Sequence, residues 1–158
     1  GLQGTDTHSE IEAIIKGAIK NFDGYIQGYP EIESNEQIKK FCDWATGNEV
    51  KFLESEKRLY SKTYWIAGTC DFTCEIEGRR YVGDLKTSSG IYYEMFLQTA
   101  GYRMMLEEMG EKEYTGSIIV RCGKDGKFET KERFEYDTDL KGFLGALALY
   151  RAQETFTK

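Results

Sequence analysis

What this chain has little of narrows its reading first. It contains a single proline, Pro30, and a single histidine, His8. No apolar run approaches the length needed to cross a membrane, and no signal-peptide pattern opens the sequence. The expectation is a cytoplasmic protein with no membrane partner. No internal repeat or linker-like segment interrupts it. At 158 residues and 40% apolar, residues 1–158 are expected to form one domain around one sizeable core. Positive charge is not in excess, since 21 lysines and arginines face 27 acids for a formal net charge of -6. That excludes a protein that coats nucleic acid through a general positive field. It leaves room for an enzyme that grips a strand locally with metal ions and a few basic side chains. Cysteine is sparse and scattered: Cys42, Cys70, Cys74 and Cys122. Cys70 and Cys74 lie within a strand-like run with no Cys or His partner nearby. A zinc or iron–sulfur site therefore competes there with buried free thiols in a reducing compartment.

What is present is a hairpin with chemistry on it. In GTCDFTCEIEGRRYVGDLKTS, Gly68 to Ser88, two runs of strand composition flank Glu77-Gly78, and Gly78 supplies the positive φ of a tight turn. With those two residues as the loop, Ile76 pairs with Arg79, and counting back sets Asp71 opposite Asp84 on one face of the sheet. Lys86, two residues beyond Asp84, shares that face. Two carboxylates and an amine on one surface need their charge compensated. A divalent cation does so and leaves the lysine close to a water or a phosphate. An Asp-x-Lys triplet on a strand is also ordinary solvated surface; the opposed Asp71 and the polar exit Thr87-Ser88-Ser89 favour function. A slip of one residue would break the constellation.

The remaining periodicity places elements around this hairpin. Thr5 or Asp6 is expected to cap a helix running to about Phe22, with Ile11, Ile14, Ile15, Ala18 and Ile19 at helical spacing and Gly24 as terminator. His8 shares that inward stripe, either as a core or cap residue or as a divalent-metal ligand. Tyr25 to Glu33 reads as loop, and Asn35 to Ala45 as a second helix ended by Gly47-Asn48. Val50 to Tyr60 reads as a strand with Glu54, Glu56 and Arg58 on one face, and a further run, Thr63 to Ala67, leads into the Asp71 strand. Tyr92 to Met109 is helical, and its apolar stripe is interrupted by Gln98 and Tyr102. These two, one turn apart, either bond each other or face the carboxylates. Tyr114 to Cys122 is a buried strand, Lys127 to Phe134 an exposed edge, and Asp139 a cap for a last helix packing through Leu140, Phe143, Leu144, Leu147 and Tyr150. This order predicts an α/β fold, a central mixed sheet with helices against it.

Several of these residues resemble a known family. His8 within GTDTH, Glu56 ahead of Leu59-Tyr60-Ser61, GTCD ending at Asp71, GDLKTSS with Asp84 and Lys86, and the helical pair Gln98 and Tyr102 resemble the RecB-like branch of the PD-(D/E)XK nuclease superfamily. The similarity runs from His8 to Tyr102. It implies a restriction-endonuclease-like core and a Mg2+ or Mn2+ ion held by His8, Asp71, Asp84 and the main-chain carbonyl of Leu85. It further implies that Lys86 orients or activates the attacking water, while Glu56, Gln98 and Tyr102 support the site or hold the substrate backbone.

Members of this branch include phage and recombination exonucleases, nuclease domains of helicase–nuclease machines and CRISPR-associated exonucleases, so a recombination or helicase partner is expected. Some carry a four-cysteine iron–sulfur cluster. The cysteines here do not bracket the domain as those do, and no cluster is expected. Arg58, Lys86, Thr87 and Ser88 suit a phosphate backbone without sequence preference, and no basic recognition helix is present to read base edges. The expected activity is sequence-independent exonuclease cleavage of linear or single-stranded DNA. An endonuclease of the same fold, a catalytically silent nucleic-acid-binding module and a zinc-structured interaction domain are the alternatives.

Overall fold

The computed structural model describes residues 2–28, 35–111 and 113–157. Along these residues run α1 (Leu2–Asn21), α2 (Glu36–Gly47), β1 (Lys51–Ser61), β2 (Ile66–Ile76), β3 (Arg79–Lys86), α3 (Tyr93–Glu108), β4 (Tyr114–Cys122), β5 (Phe128–Arg133) and α4 (Tyr136–Thr157). The strands form a mixed sheet in the order β1-β2-β3-β4-β5, antiparallel except for the parallel pair β3 and β4. Parallel neighbours need a crossover, and α3 supplies it. On one face, Ile11 and Ile15 of α1 and Ile38 and Phe41 of α2 cluster with Phe72, Cys74 and Val120. On the other, Met105 and Leu106 of α3 and Phe143 of α4 cluster with Leu59, Cys70 and Val82. A central mixed sheet flanked by helices is the architecture.

Local chemistry accounts for the boundaries. Asn35 caps α2, its side chain accepting the N–H groups of Gln37 and Ile38. Gly24, at φ +91°, closes the end of α1 by donating to the Ala18 carbonyl, and a Cβ there would stand 2.3 Å from the Phe52 carbonyl oxygen. The β2–β3 turn has both Glu77 (φ 52°) and Gly78 (φ 78°) in the left-handed region, the geometry that matches strand twist in a two-residue hairpin. Ile76 pairs with Arg79 and the ladder holds to Phe72 opposite Gly83, the register expected from the sequence.

Several expectations are corrected. The first helix begins at Leu2, so Thr5 and Asp6 lie inside it, where the backbone is helical rather than in the extended form a cap requires. Asp139 likewise sits within the first turn of α4, and its carboxylate binds Arg133 at 2.6 and 2.9 Å and the Tyr93 hydroxyl at 2.9 Å. Of the expected face of α4, Leu140, Phe143 and Leu144 pack on the sheet-side cluster, whereas Tyr150 is exposed. Residues 62–65 form a turn rather than strand, with Trp65 at φ +56°. Pro30 and most of its expected loop lie outside the described residues.

The largest correction concerns β1. Glu54, Glu56 and Arg58 do not share a face, because Glu56 takes φ +48° within the strand; a bulge between Phe52 and Glu54 lies upstream of all three. Each distortion re-aims the side chains that follow it. Glu54 turns to Thr73 and Lys57, Glu56 to Lys16 of α1, and Arg58 to solvent. Beyond these distortions, β1 and β2 run past the end of β3 as a two-stranded arm. At the opposite margin β5 is exposed from Glu129 to Glu132.

Candidate active site

The site forms where β2 and β3 part. Just past the Phe72–Gly83 pair, the Leu85 N–H donates to Asp71 Oδ2 at 2.7 Å. Asp71 and Asp84 thereby meet, each carboxyl close enough to shift the titration of the other. Asp84 is 4% exposed. Burial and then the Asp71 charge push its carboxyl up to about 8, against the opposing pull of Lys86. Asp71 titrates the other way. Burial disfavours its charge, but His8, Asp84 and the Leu85 N–H together hold it below the usual carboxylate range.

Gly83 makes this approach of strands feasible. A Cβ on it would lie 2.1 Å from the ring of Phe72. The residue before Asp84 is thus glycine for a steric reason.

Lys86 reaches back to the pair. Its ammonium stands 2.9 Å from Asp84 Oδ2 and donates to Gln98 Oε1 at 3.1 Å. The contact with Asp84 is off the hydrogen-bonding axis, so that buried oxygen has a charge beside it but no directed bond. Tyr102 lies one turn beyond Gln98, and its phenol is pushed up by burial and then by the charges of Asp84 and Asp71. Of the two alternatives for these residues, facing the carboxylates is the one with a direct contact: Gln98 accepts from Lys86, which stands beside Asp84. A Cβ on Gly68 of β2 would be 3.0 Å from the Tyr102 ring, so this glycine admits the ring against the strand.

From α1 comes His8. Its Nε2 is 3.6 Å from Asp71 Oδ2 and its Nδ1 is 2.9 Å from Glu12 Oε1. The approach to Asp71 raises the imidazole pKa, with burial opposing and Glu12 adding to the rise. Ligand atoms of His8, Glu12 and Asp71 lie within 4.8 Å of one another, close enough to hold one cation. Glu12 had no part in the reading of the sequence. Its signal was the spacing in HSEIE, which sets a carboxylate one helical turn beyond the histidine on the same face.

Other expected residues stand further off. Glu56 lies beside Asp71 in the β1–β2 register but gives its carboxylate to Lys16. Arg58 is exposed and Thr87 half-buried at the strand exit. The Ser88 hydroxyl is spent inside its own loop, donating to the Gly90 carbonyl at 3.0 Å. The Ser88 carbonyl accepts from Arg121 at 2.8 Å. Arg121, a fully buried guanidinium also bonded to Glu129 at 2.6 Å, anchors the loop that follows Lys86, which an isolated strand cation in the sequence did not announce. The four thiols are free and buried, and Cys70 and Cys74 belong to clusters on opposite faces of the sheet.

The donor set suits a hard divalent cation: carboxylate oxygens, one imidazole, and a buried Asp84 oxygen lacking a directed bond. The Leu85 carbonyl leaves the strand on the same edge as its N–H, toward Asp71. No family model matches the chain, and no curated protein matches it at a significant level. Among solved structures, the crystal structure of SSO0001 is similar at 15% identity with a TM-score of 0.42, over 94% of this chain and 70% of that one.

Proposed function

We propose that this chain is a metal-dependent deoxyribonuclease with a restriction-endonuclease-like core, of the RecB-like PD-(D/E)XK kind. The observation that carries the reading is the convergence of Asp71, Asp84, Lys86 and Gln98 at the parting of β2 and β3, with His8 brought to Asp71 from α1. The carboxyl of Asp84 is pushed up and that of Asp71 held down, and Lys86 beside Asp84 offsets the charge of the pair. His8, Asp71, Asp84 and the Leu85 carbonyl would hold Mg2+ or Mn2+, with Glu12 fixing His8 from behind. A cation bound there neutralises phosphodiester charge and acidifies a water.

The chain's own residues do the rest. Lys86, kept extended by Gln98, sits where it can orient the water for in-line attack or steady a phosphate oxygen. Tyr102 offers a phenol that burial keeps protonated, a donor rather than an anion beside the phosphate. Hydrolysis forms one P–O bond from water and breaks the P–O bond to the leaving nucleotide, with no covalent enzyme intermediate.

The test is a digest of end-labelled linear, nicked circular and covalently closed DNA with Mg2+ or Mn2+, run beside Asp84→Ala and Lys86→Ala. Degradation of linear DNA from an end, lost in both variants while their circular dichroism is unchanged, supports an exonuclease. Discrete fragments from closed circles assign an endonuclease instead. Wild-type rates in either purified variant sink the assignment.

A further inference from the structure

The arm formed by the ends of β1 and β2 carries side chains that its fold does not use. From Lys57 to Thr69 it has three cations, Lys57, Arg58 and Lys62, and no acid, in a chain whose net charge is -6. Lys57 is taken by Glu54 and Glu111. Arg58 and Lys62 make no ion pair among the described residues. Along β1 the residues alternate: Leu59 and Ser61 are buried toward α3, whereas Arg58 and Tyr60 are exposed, and Lys62 follows them, exposed, at the start of the turn. On β2, Ala67 opposite Tyr60 and Thr69 opposite Arg58 are small and exposed, so nothing covers the strip from the side. At its end Trp65 is 82% exposed at φ +56°.

A tryptophan in the left-handed region with its ring in solvent serves no packing purpose. Yet its backbone is fastened: Arg151 of α4 donates to the carbonyls of Tyr64 and Trp65, and Glu108 of α3 accepts from Ser61, Lys62 and Thr63. An open recess of about 390 Å³ lies between Tyr60, Lys62, Trp65 and Ala67. The backbone that carries Trp65 is thus fastened at the lip of a recess that Tyr60 also lines, and Arg58 and Lys62 stand on either side of Tyr60 in the chain.

We propose that this outward face binds single-stranded DNA, with unpaired bases stacked on Tyr60 and Trp65 and phosphates against Arg58 and Lys62. Cations alternating with exposed rings match a polynucleotide in both charge and π-surface. A duplex does not fit, because its base faces are already stacked on each other. Tyr60 lies four residues beyond Glu56 on the same strand, about 13 Å at strand rise, so the strip continues outward from the Asp71 neighbourhood. That the bound strand is also the substrate rests on the nuclease reading; that the strip binds it does not.

The experiment titrates dye-labelled oligo-dT with the whole chain in EDTA at low salt, where hydrolysis cannot intrude. Affinity is read by fluorescence anisotropy, which serves variants lacking Trp65 as well as the parent, and intrinsic emission is followed alongside. Trp65 emission should be quenched to saturation, while a Trp65→Phe variant reports the signal of Trp44 alone. Tyr60→Ala and Trp65→Ala should each weaken dT binding roughly five- to one-hundred-fold, and Trp65→Phe much less. A duplex of the same length should bind more weakly than dT. Melting temperatures check that each variant folds. Wild-type dT affinity in Trp65→Ala overturns the proposal, as does preference for the duplex. So does light scattering that shows a dimer dissociated by Trp65→Ala, which would make the face a contact between copies. If dT binding depends on Trp65 but no DNA is cleaved, the strip stands and the nuclease reading falls. The reverse pattern removes the strip alone.

Discussion

Asp71 Oδ2 accepts the main-chain N–H of Leu85 at 2.7 Å, so a side chain stands where a ladder carbonyl would otherwise serve. The bond favours the ionised form of Asp71 and leaves the proton of the acidic pair to Asp84. Three shifts follow, and their signs differ.

Asp84 has its folded pKa raised from 3.8 to about 8, so the folded chain binds that proton more tightly than the unfolded chain. Its stabilisation is present below about pH 3.8 and is lost as pH rises toward 8. His8, also raised, contributes below 6.5 and loses that contribution as pH climbs through its folded value. Asp71, lowered, contributes above 3.8 and loses it as pH falls further. In EDTA, urea denaturation should therefore show Asp84 and His8 together lowering stability between pH 5 and pH 8. Asp84→Asn, which cannot ionise, should flatten this slope and gain stability relative to the parent as pH rises from 5 to 8. Parallel pH profiles for parent and variant would refute the assignment of the proton to Asp84.

Glu12 fixes which nitrogen of His8 faces Asp71, by taking Nδ1 for itself. Removing such a partner from a ligating histidine weakens metal binding roughly 10–100-fold. Calorimetry with Mn2+ should show that loss in Glu12→Ala and a smaller one in Glu12→Gln, which keeps an acceptor. Affinity unchanged in Glu12→Ala would mean that His8 is oriented by something else.

Gly83→Ala pushes a methyl to 2.1 Å from the Phe72 ring, and the ring is fully buried with Phe52 at its side. Overpacking of this kind costs about 1–3 kcal/mol and should appear as a lowered Tm. Phe72→Leu introduced with it should recover part of the loss, because the space the methyl needs is returned. Additive destabilisation in the double variant would show that the clash is relieved elsewhere.

Glu108 gathers the hydroxyl of Ser61 at 2.6 Å and the N–H groups of Lys62 and Thr63 at 2.7 and 3.1 Å, and these bonds hold its carboxyl below the usual range. A depressed carboxyl stabilises above its unfolded pKa and ceases to do so as pH falls through the folded value. Hydrogen exchange at Lys62 and Thr63 should accelerate in Glu108→Ala at neutral pH. In the parent the same acceleration should appear only in acid. Protection unaffected by the substitution would remove Glu108 as the clasp of the turn.

How much of this was legible in the sequence depends on how local the cause was. Glu77-Gly78 fixed the β2–β3 register because a two-residue turn allows only one pairing, and that register brought Asp71 to Asp84. Asn35 announced α2 because capping is settled within three residues. The bulge of β1 and the left-handed Glu56 were not legible: neither Leu53 nor Glu56 is a glycine or asparagine that would mark a break, and the Lys16 partner of Glu56 lies on α1, remote in sequence. Thr5, Asp6 and Asp139 have the right chemistry for caps, but the helices begin upstream of each. Glu12 was hidden in plain alternation of charge, since an i,i+4 acid on a helix is usually only surface.

The two margins of the sheet carry a further consequence, for what the chain avoids rather than what it does. β5 ends the sheet with Glu129, Lys131, Glu132 and Arg133, a row of charges of both signs along an exposed strand. β1 ends the other side with a bulge, a left-handed residue and a bridge to Tyr25. A foreign strand that tried to extend the sheet would meet salt-bridging side chains on one flank and a broken hydrogen-bond row on the other. Runaway stacking of chains into fibrils is thereby discouraged at both flanks, even though the interior strand β4, with Ile118, Ile119 and Val120 in succession, would be well suited to it.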